Sequence, residues 1–487
     1  MLFNSLAFFI FFPLVTALFY LLPHRFRWML LLTASCYFYM FFIPVYILIL
    51  FGTIVIDYFA GIKLEETLDP ARRKLFLRLS LVSNIGILAI FKYYNFFLDN
   101  INDLSYLLFD SPTAARYLAI ALPVGLSFHT FQAMSYILEV YYGRQKAERH
   151  FGLYALYVMF YPQLVAGPIE RPQNILHQFR EEKTFEYPGF TSGIGLMIWG
   201  LFKKMVIADN IAGLVDRAYA QPDEAGGTAL LITSYLFAIQ IYCDFSGYSD
   251  IAIGAARTMG YNLMENFRTP YLSTSIREFW SRWHISLSTW FRDYLYIPLG
   301  GNRSGHARWM TNLFIVFLVS GFWHGASWTF ILWGALHGTY LIAGIATDHL
   351  AKHNPKLDGL LNKRGAGFLN RLITFHLVVF AWIFFRAENV GHAISIIGKI
   401  AAISPDISDF SSAVAFLAKN PGKSGNVVFI FALVAAFMAI DPWMDRIVKG
   451  KVIFASAWPY FVIFPLITAA LLLFGYFGEI SFIYFQF

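Results

Sequence analysis

Residues 309–347 read WMTNLFIVFLVSGFWHGASWTFILWGALHGTYLIAGIAT, 39 residues without one Asp, Glu, Lys or Arg. One helical crossing of a bilayer takes about 20 apolar residues, so this run holds two, turning at Gly325-Ala326-Ser327. His324 stands at that turn between Trp323 and Gly325, and His337 follows in the second half. Ionisable groups at membrane depth are costly and persist where they face a polar cavity, pair or react. Glycine lets a substrate or backbone approach His324 closely, and Trp323 can wall an apolar slot with a polar tip. The plainer alternative is a packed imidazole bonded to a backbone carbonyl. On a continuous helix His337 would point about 220° away from His324, and it reads as structural.

The rest of the chain agrees with a membrane setting. Of 487 residues only 14% are charged, 58% are hydrophobic and 19% aromatic, with a mean hydropathy of +0.55. A soluble domain carries about 25% charged residues, so the chain reads as an all-α, polytopic membrane protein. Counting apolar runs between charged loops predicts about eleven or twelve crossings plus re-entrant segments, in one integral-membrane domain over residues 1–487. Residues 151–169 are uncharged but broken by Pro162 and Gly167-Pro168, which predicts a dipping, incomplete segment. Residues 1–23 lack the basic start of a cleavable signal and read as a retained span. Lys and Arg gather in loops 63–78, 144–149, 348–371 and 445–451, which places those loops inside and the N-terminus outside. The net charge of +7 is thus spread over short loops, which argues against nucleic acid as a partner. Cys36 and Cys243 sit in apolar surroundings and make no disulfide framework. Asp244 and Asp250 are expected to form buried pairs or hydrogen bonds, and Lys203-Lys204 sits awkwardly inside an apolar run.

Residues 271–303 are too charged for a lipid-facing span and too aromatic for an exposed loop. Ser275-Ile276-Arg277-Glu278 fits a capping box. At about 100° per residue, Trp280, Trp283, Leu287, Trp290 and Tyr294 share one stripe. Arg277, Ser281, His284, Ser288 and Arg292 then share another. One reading is an amphipathic helix lying on the cytoplasmic surface. The other is a helix dipping inward, its Arg277, Arg282, Ser288 and Arg292 lining a basic passage for an anionic, phosphate-bearing donor. Asn302, just past the helix-ending glycines, joins that binding set, and Trp323 would wall it.

Transfer of an acyl group from a thioester to a hydroxyl needs a base of near-neutral pKa and a group to bear charge at the carbonyl oxygen. Imidazole meets the first need. His324 as base toward the outside and His284 toward the cytoplasm would mark the two ends of a watery tunnel through the protein. No P-loop, dinucleotide fingerprint, nucleophile elbow or metal-spaced His/Cys cluster occurs, so neither a metal nor a permanently bound cofactor is expected.

At these residues the sequence resembles the membrane-bound O-acyltransferase family, in its bacterial alginate O-acetylation branch. The matching blocks are RWHISLSTW at 282–290, RDYL at 292–295, WHGA at 323–326, DFSGYSD at 244–250, AGP at 166–168 and FIYFQF at 482–487. The resemblance implies that His324 is the family's essential histidine and His284 its second polar site. It further implies an acyl tunnel, acetyl-CoA as donor, and an SGNH-hydrolase-type partner outside that completes polysaccharide acetylation beside the synthesis machinery. The expected site is thus the cytoplasmic (inner) membrane of a bacterium, among its lipids. Alginate, cellulose and peptidoglycan stay open as acceptors. D-alanyl transfer from a carrier-protein thioester is the alternative within the family, and a transporter or flippase the alternative outside it.

Overall fold

The computed structural model describes residues 1–113, 115–303, 305–354, 366–404, 407–419, 427–449, 458–478 and 482–483. Parts of the loops expected at 348–371 and 445–451, and residues 484–487 of the closing block, lie outside them. The described residues are helical, with no strand among them. They group into two compact units. The first is Met1–Ile194 with Ala252–Met264, and the second is Gly195–Ile251 with Glu265–Phe487.

The first unit is built on α1 (Leu6–Leu21), α2 (His24–Met40), α3 (Ile47–Glu66), α4 (Pro70–Leu88), α5 (Tyr94–Phe109), α6 (Leu126–Tyr141), α7 (Phe151–Met159) and the short α8 (Pro172–Ile175). Local signals set its starts. The Ser5 hydroxyl accepts from the Phe8 N–H ahead of α1, and Asp69 caps α4 with Pro70 in its first turn. Asp57, the one charge in its apolar run, is buried, and its carboxylate accepts from Ser80 and Asn84 of α4. The broken segment behaves as its prolines dictate: α7 stops at Met159 and residues 160–167 turn through the interior.

The second unit takes its helices from later in the chain. These are α9 (Tyr187–Leu201), α10 (Asp209–Ala220), α11 (Pro222–Thr258), α12 (Ile276–Arg282), α13 (Ile285–Phe291), α14 (His306–His324), α15 (Trp328–His353), α16 (Ala366–Arg386), α17 (Val390–Ala401), α18 (Ile407–Ala418), α19 (Val427–Val448) and α20 (Trp458–Phe474). The first part of α9 and the last turns of α11 belong to the first unit. Among the described residues seven helical stretches are long and apolar enough to cross a membrane, and shorter apolar helices such as α1 and α17 accompany them.

The uncharged run at 309–347 forms the expected helical pair, α14 and α15. Ser327 caps the second helix by accepting from the Thr329 N–H. Two glycines set how closely the pair packs. A Cβ on Gly321 would lie 2.3 Å from the Phe330 carbonyl oxygen, and one on Gly334 would lie 2.3 Å from that of Phe317. Only residues without a side chain fit there, as in small-residue helix contacts in membranes.

Candidate active site

His324 is the last residue of α14, and the chain leaves the helix in an extended conformation at Gly325. Its side chain is therefore fixed at a helix end rather than on a helix face, and it is buried, 4% exposed. Aromatic rings surround it. Trp323 and Trp333 each stand 5.0 Å from the imidazole between ring centres, and Phe385 of α16 stands 5.4 Å away.

His284 arrives by a different route. The helix expected to run on from Ser275 breaks after Arg282, and α13 begins afresh at Ile285. His284 at the break is left-handed, φ 44°, a conformation that costs a non-glycine residue about 1 kcal/mol. Asn266 holds the break. Its backbone carbonyl accepts from the Ile285 N–H, and its side-chain carbonyl accepts from the N–H and hydroxyl of Ser286. Ser288 adds a hydroxyl bond to the Trp283 carbonyl. The result buries His284 completely, edge-on to Phe245 at 4.6 Å and 6.2 Å from the Trp323 ring. The indole of Trp323 thus neighbours both imidazoles.

This break corrects the continuous polar face expected along 277–292. His284 turns inward while Arg277 and Arg292 stay at the surface, their side chains 63% and 59% exposed. Arg277 lies 3.8 Å from Asp348, and Arg292 pairs with its neighbour Asp293. Asn302 is exposed as well. The structure therefore brings together His284, Trp323 and His324, and leaves Arg277, Arg292 and Asn302 apart from them. Arg282 pairs with Glu278 at 2.6 Å. The capping box is present in altered form: Ser275 accepts from the Glu278 N–H, but the Glu278 carboxylate reaches back to Thr274.

His337 also joins the cluster. The α14–α15 break removes the continuous helix on which it would point away, and its ring lies 4.9 Å from the same Trp333 that flanks His324. Trp280 donates its indole N–H to Nδ1 of His337 at 3.3 Å. The Trp333–His337 pair is an i,i+4 contact within α15, whereas the Trp280–His337 and Trp333–His324 contacts cross between elements and could not be read from spacing. Asn266 carried no local signal for the same reason.

Three carboxylates buried in the second unit, Asp209, Asp244 and Asp250, pair with lysines. Lys203 binds Asp250 at 2.6 Å and donates to the Ser246 hydroxyl. Lys204 bridges Asp209 and Asp244, and Asp244 also accepts from the Ile483 N–H. Both lysines lie in a π-helical stretch, Phe202–Ala208, between α9 and α10. Outside the spans, Glu265 is bonded to Arg268 and lies 3.0 Å from Lys449. Burial pushes this carboxyl up, but Lys449 and Arg268 outweigh it and hold it at about 2.

The profile of the membrane-bound O-acyltransferase family matches residues 150–383, which include both histidine blocks. The chain is 41% identical to the "Probable alginate O-acetylase AlgI" of Pseudomonas aeruginosa, over 80% of this chain and 73% of that protein. It is 37% identical to the "Peptidoglycan O-acetyltransferase" of Helicobacter pylori, over 77% of this chain and 73% of that one. Identity to the "Teichoic acid D-alanyltransferase" of Bacillus subtilis is 28%, over 55% of this chain and 70% of that one. The chain is a multi-pass membrane O-acyltransferase and belongs to the membrane-bound O-acyltransferase family.

Proposed function

We propose that the chain carries an acetyl group from cytoplasmic acetyl-CoA across a bacterial cytoplasmic membrane toward a polysaccharide hydroxyl outside, where an SGNH-hydrolase-type partner completes the transfer. The observation that carries this reading is the placing of two histidines, His284 and His324, against one indole, each at a helix break. In the reaction His324 takes the acceptor's hydroxyl proton as the oxygen attacks the thioester carbonyl. The carbonyl oxygen gathers charge within reach of His284. The carbon–sulfur bond then breaks, and the leaving thiolate takes back the proton. Both the base and the charge-bearing group are thus supplied by the chain.

Because aromatic rings line His324, the acetyl group reaches it along ring edges. The two histidines, expected at opposite ends of a tunnel, share one indole instead, so the base and the charge-bearing group act at one place. The basic loops face the cytoplasm in this reading, and the N-terminus lies outside. The acetyl group is preferred over D-alanine because the relatives named for acetylation are the more similar ones, 41% and 37% against 28%.

The test is transfer of radioactive acetyl from acetyl-CoA by purified protein with its partner. His324→Ala should lower the rate by about 10²–10⁴-fold while leaving expression intact, the usual loss on removing a general base. Unchanged labelling in that variant would falsify the mechanism. A requirement for a carrier protein would favour D-alanyl transfer instead.

A further inference from the structure

On the side of α12 away from the histidines lies a cavity of about 520 Å³. Four guanidinium groups reach it from four places in the sequence. They are Arg268 in the loop after α11, Arg282 in α12, Arg371 in α16 and Arg446 in α19. Two carboxylates also line it, and each is already engaged. Glu278 binds Arg282 and accepts from the Thr274 N–H and hydroxyl, and Asp445 is bonded to Lys449. Arg268 has Glu265 as its partner. Among the described residues neither Arg371 nor Arg446 makes an ion pair. The lining therefore gathers four positive side chains against two negative ones.

Like charges in a shared concavity repel, and low-dielectric walls strengthen the repulsion. Positive-inside sorting explains why each arginine lies on this face, but not why four converge on one hollow. We propose that this cavity binds phosphate esters, with Arg371 and Arg446 supplying the two guanidinium groups that an anion would engage. Planar guanidinium groups match phosphate oxygens in pairs. The volume falls in the range of small-molecule sites, about 300–1,000 Å³. Thr269, which also lines the cavity, is left-handed at φ 43°. Residues held in such conformations concentrate at ligand sites.

The cavity and the histidine cluster share α12 as a common wall. Glu278, Ser281 and Arg282 face the cavity. Phe279 and Trp280 contact His337, and Trp283 packs on Trp382. A helix with its side chains is about 10 Å across, so a phosphate held here lies within the reach of an extended thioester arm. Two sources offer this chemistry: the phosphates of the donor, which rests on the acetyl-CoA reading above, and the headgroup of an anionic lipid, which does not.

The experiment uses full-length protein in phosphatidylcholine nanodiscs. Binding of adenosine 3′,5′-bisphosphate is measured by calorimetry at two salt concentrations. In a parallel arm with added phosphatidylglycerol, lipid retention is measured by native mass spectrometry. The variants are R371Q/R446Q and, as the charge-keeping control, R371K/R446K. The expected result is nucleotide binding that falls at least tenfold in R371Q/R446Q, weakens with salt and largely survives in R371K/R446K. Loss of lipid retention alone supports the phosphate pocket with a lipid as its occupant. Unaltered binding of both ligands in R371Q/R446Q overturns the proposal. H324A separates the two readings, because it should lower acetyl transfer by the factor given above and leave nucleotide or lipid binding intact.

Discussion

The two histidine-bearing regions solve one problem in opposite ways. In the α14–α15 pair, glycine provides the break after His324, and the close packing of Gly321 and Gly334 holds the imidazole in place. In the segment around α12 and α13 no glycine marks the break. His284 itself takes the left-handed conformation, and Asn266 on a distant loop enforces it. The first histidine is positioned by its neighbours in sequence, the second by strain that tertiary hydrogen bonds maintain. A break of the second kind is easier to relax, and the two regions should therefore respond differently to substitution.

The largest difference should appear at the rings themselves. Removing the His324 imidazole should cost most of the rate, as set out above, whereas His284→Ala should lower kcat less if it bears charge without moving a proton. Equal losses in kcat would break the distinction between base and charge-bearing group. The next effect is on packing. Gly334→Val should destabilise the protein by about 3 kcal/mol or more through overpacking against the Phe317 carbonyl, read as lost expression or a lower Tm in detergent. Normal yield and activity would show that close backbone approach is not what fixes His324.

A smaller effect sharpens the comparison at His284. Glycine accepts φ 44° without strain, so His284→Gly should be more stable than His284→Ala by about 1 kcal/mol, while both lack the ring's chemistry. Asn266→Ala should lower kcat without removing either imidazole, and His284→Gly in that background should show a reduced stability gap. The smallest effect concerns pH. Glu265, held at about 2 against an ordinary value of 4.5, favours the folded state once pH is above 4.5, and this contribution is lost as pH falls through 2. Glu265→Gln should therefore flatten the fall in Tm over that acid range, and an unchanged slope would remove the Lys449–Arg268 explanation.

How much of this was legible in the sequence follows the same division. The all-helical membrane fold and the 309–347 pair could be read because the uncharged run and the small-residue turn are local. His324 could be read for the same reason. The stripe drawn through residues 277–292 assumed one continuous helix, and no residue at Trp283-His284 announces a break. Its cause, Asn266, lies outside that stretch. The contact of Trp280 with His337, and the convergence of Arg268, Arg371 and Arg446 on one cavity, depend on elements far apart in the chain.

The lysine pairs carry a consequence for biosynthesis. A lysine at the centre of a membrane helix costs about 2.5–3.5 kcal/mol on insertion scales, and this chain has two in succession. Two of their three carboxylate partners, Asp244 and Asp250, lie on α11, which the ribosome makes later. The segment holding Lys203 and Lys204 thus has little reason to enter lipid before α11 emerges, and the two should leave the translocon together. Nascent chains stopped near residue 225 should insert this segment poorly, and those extended past residue 260 should insert it well, as glycosylation mapping can score.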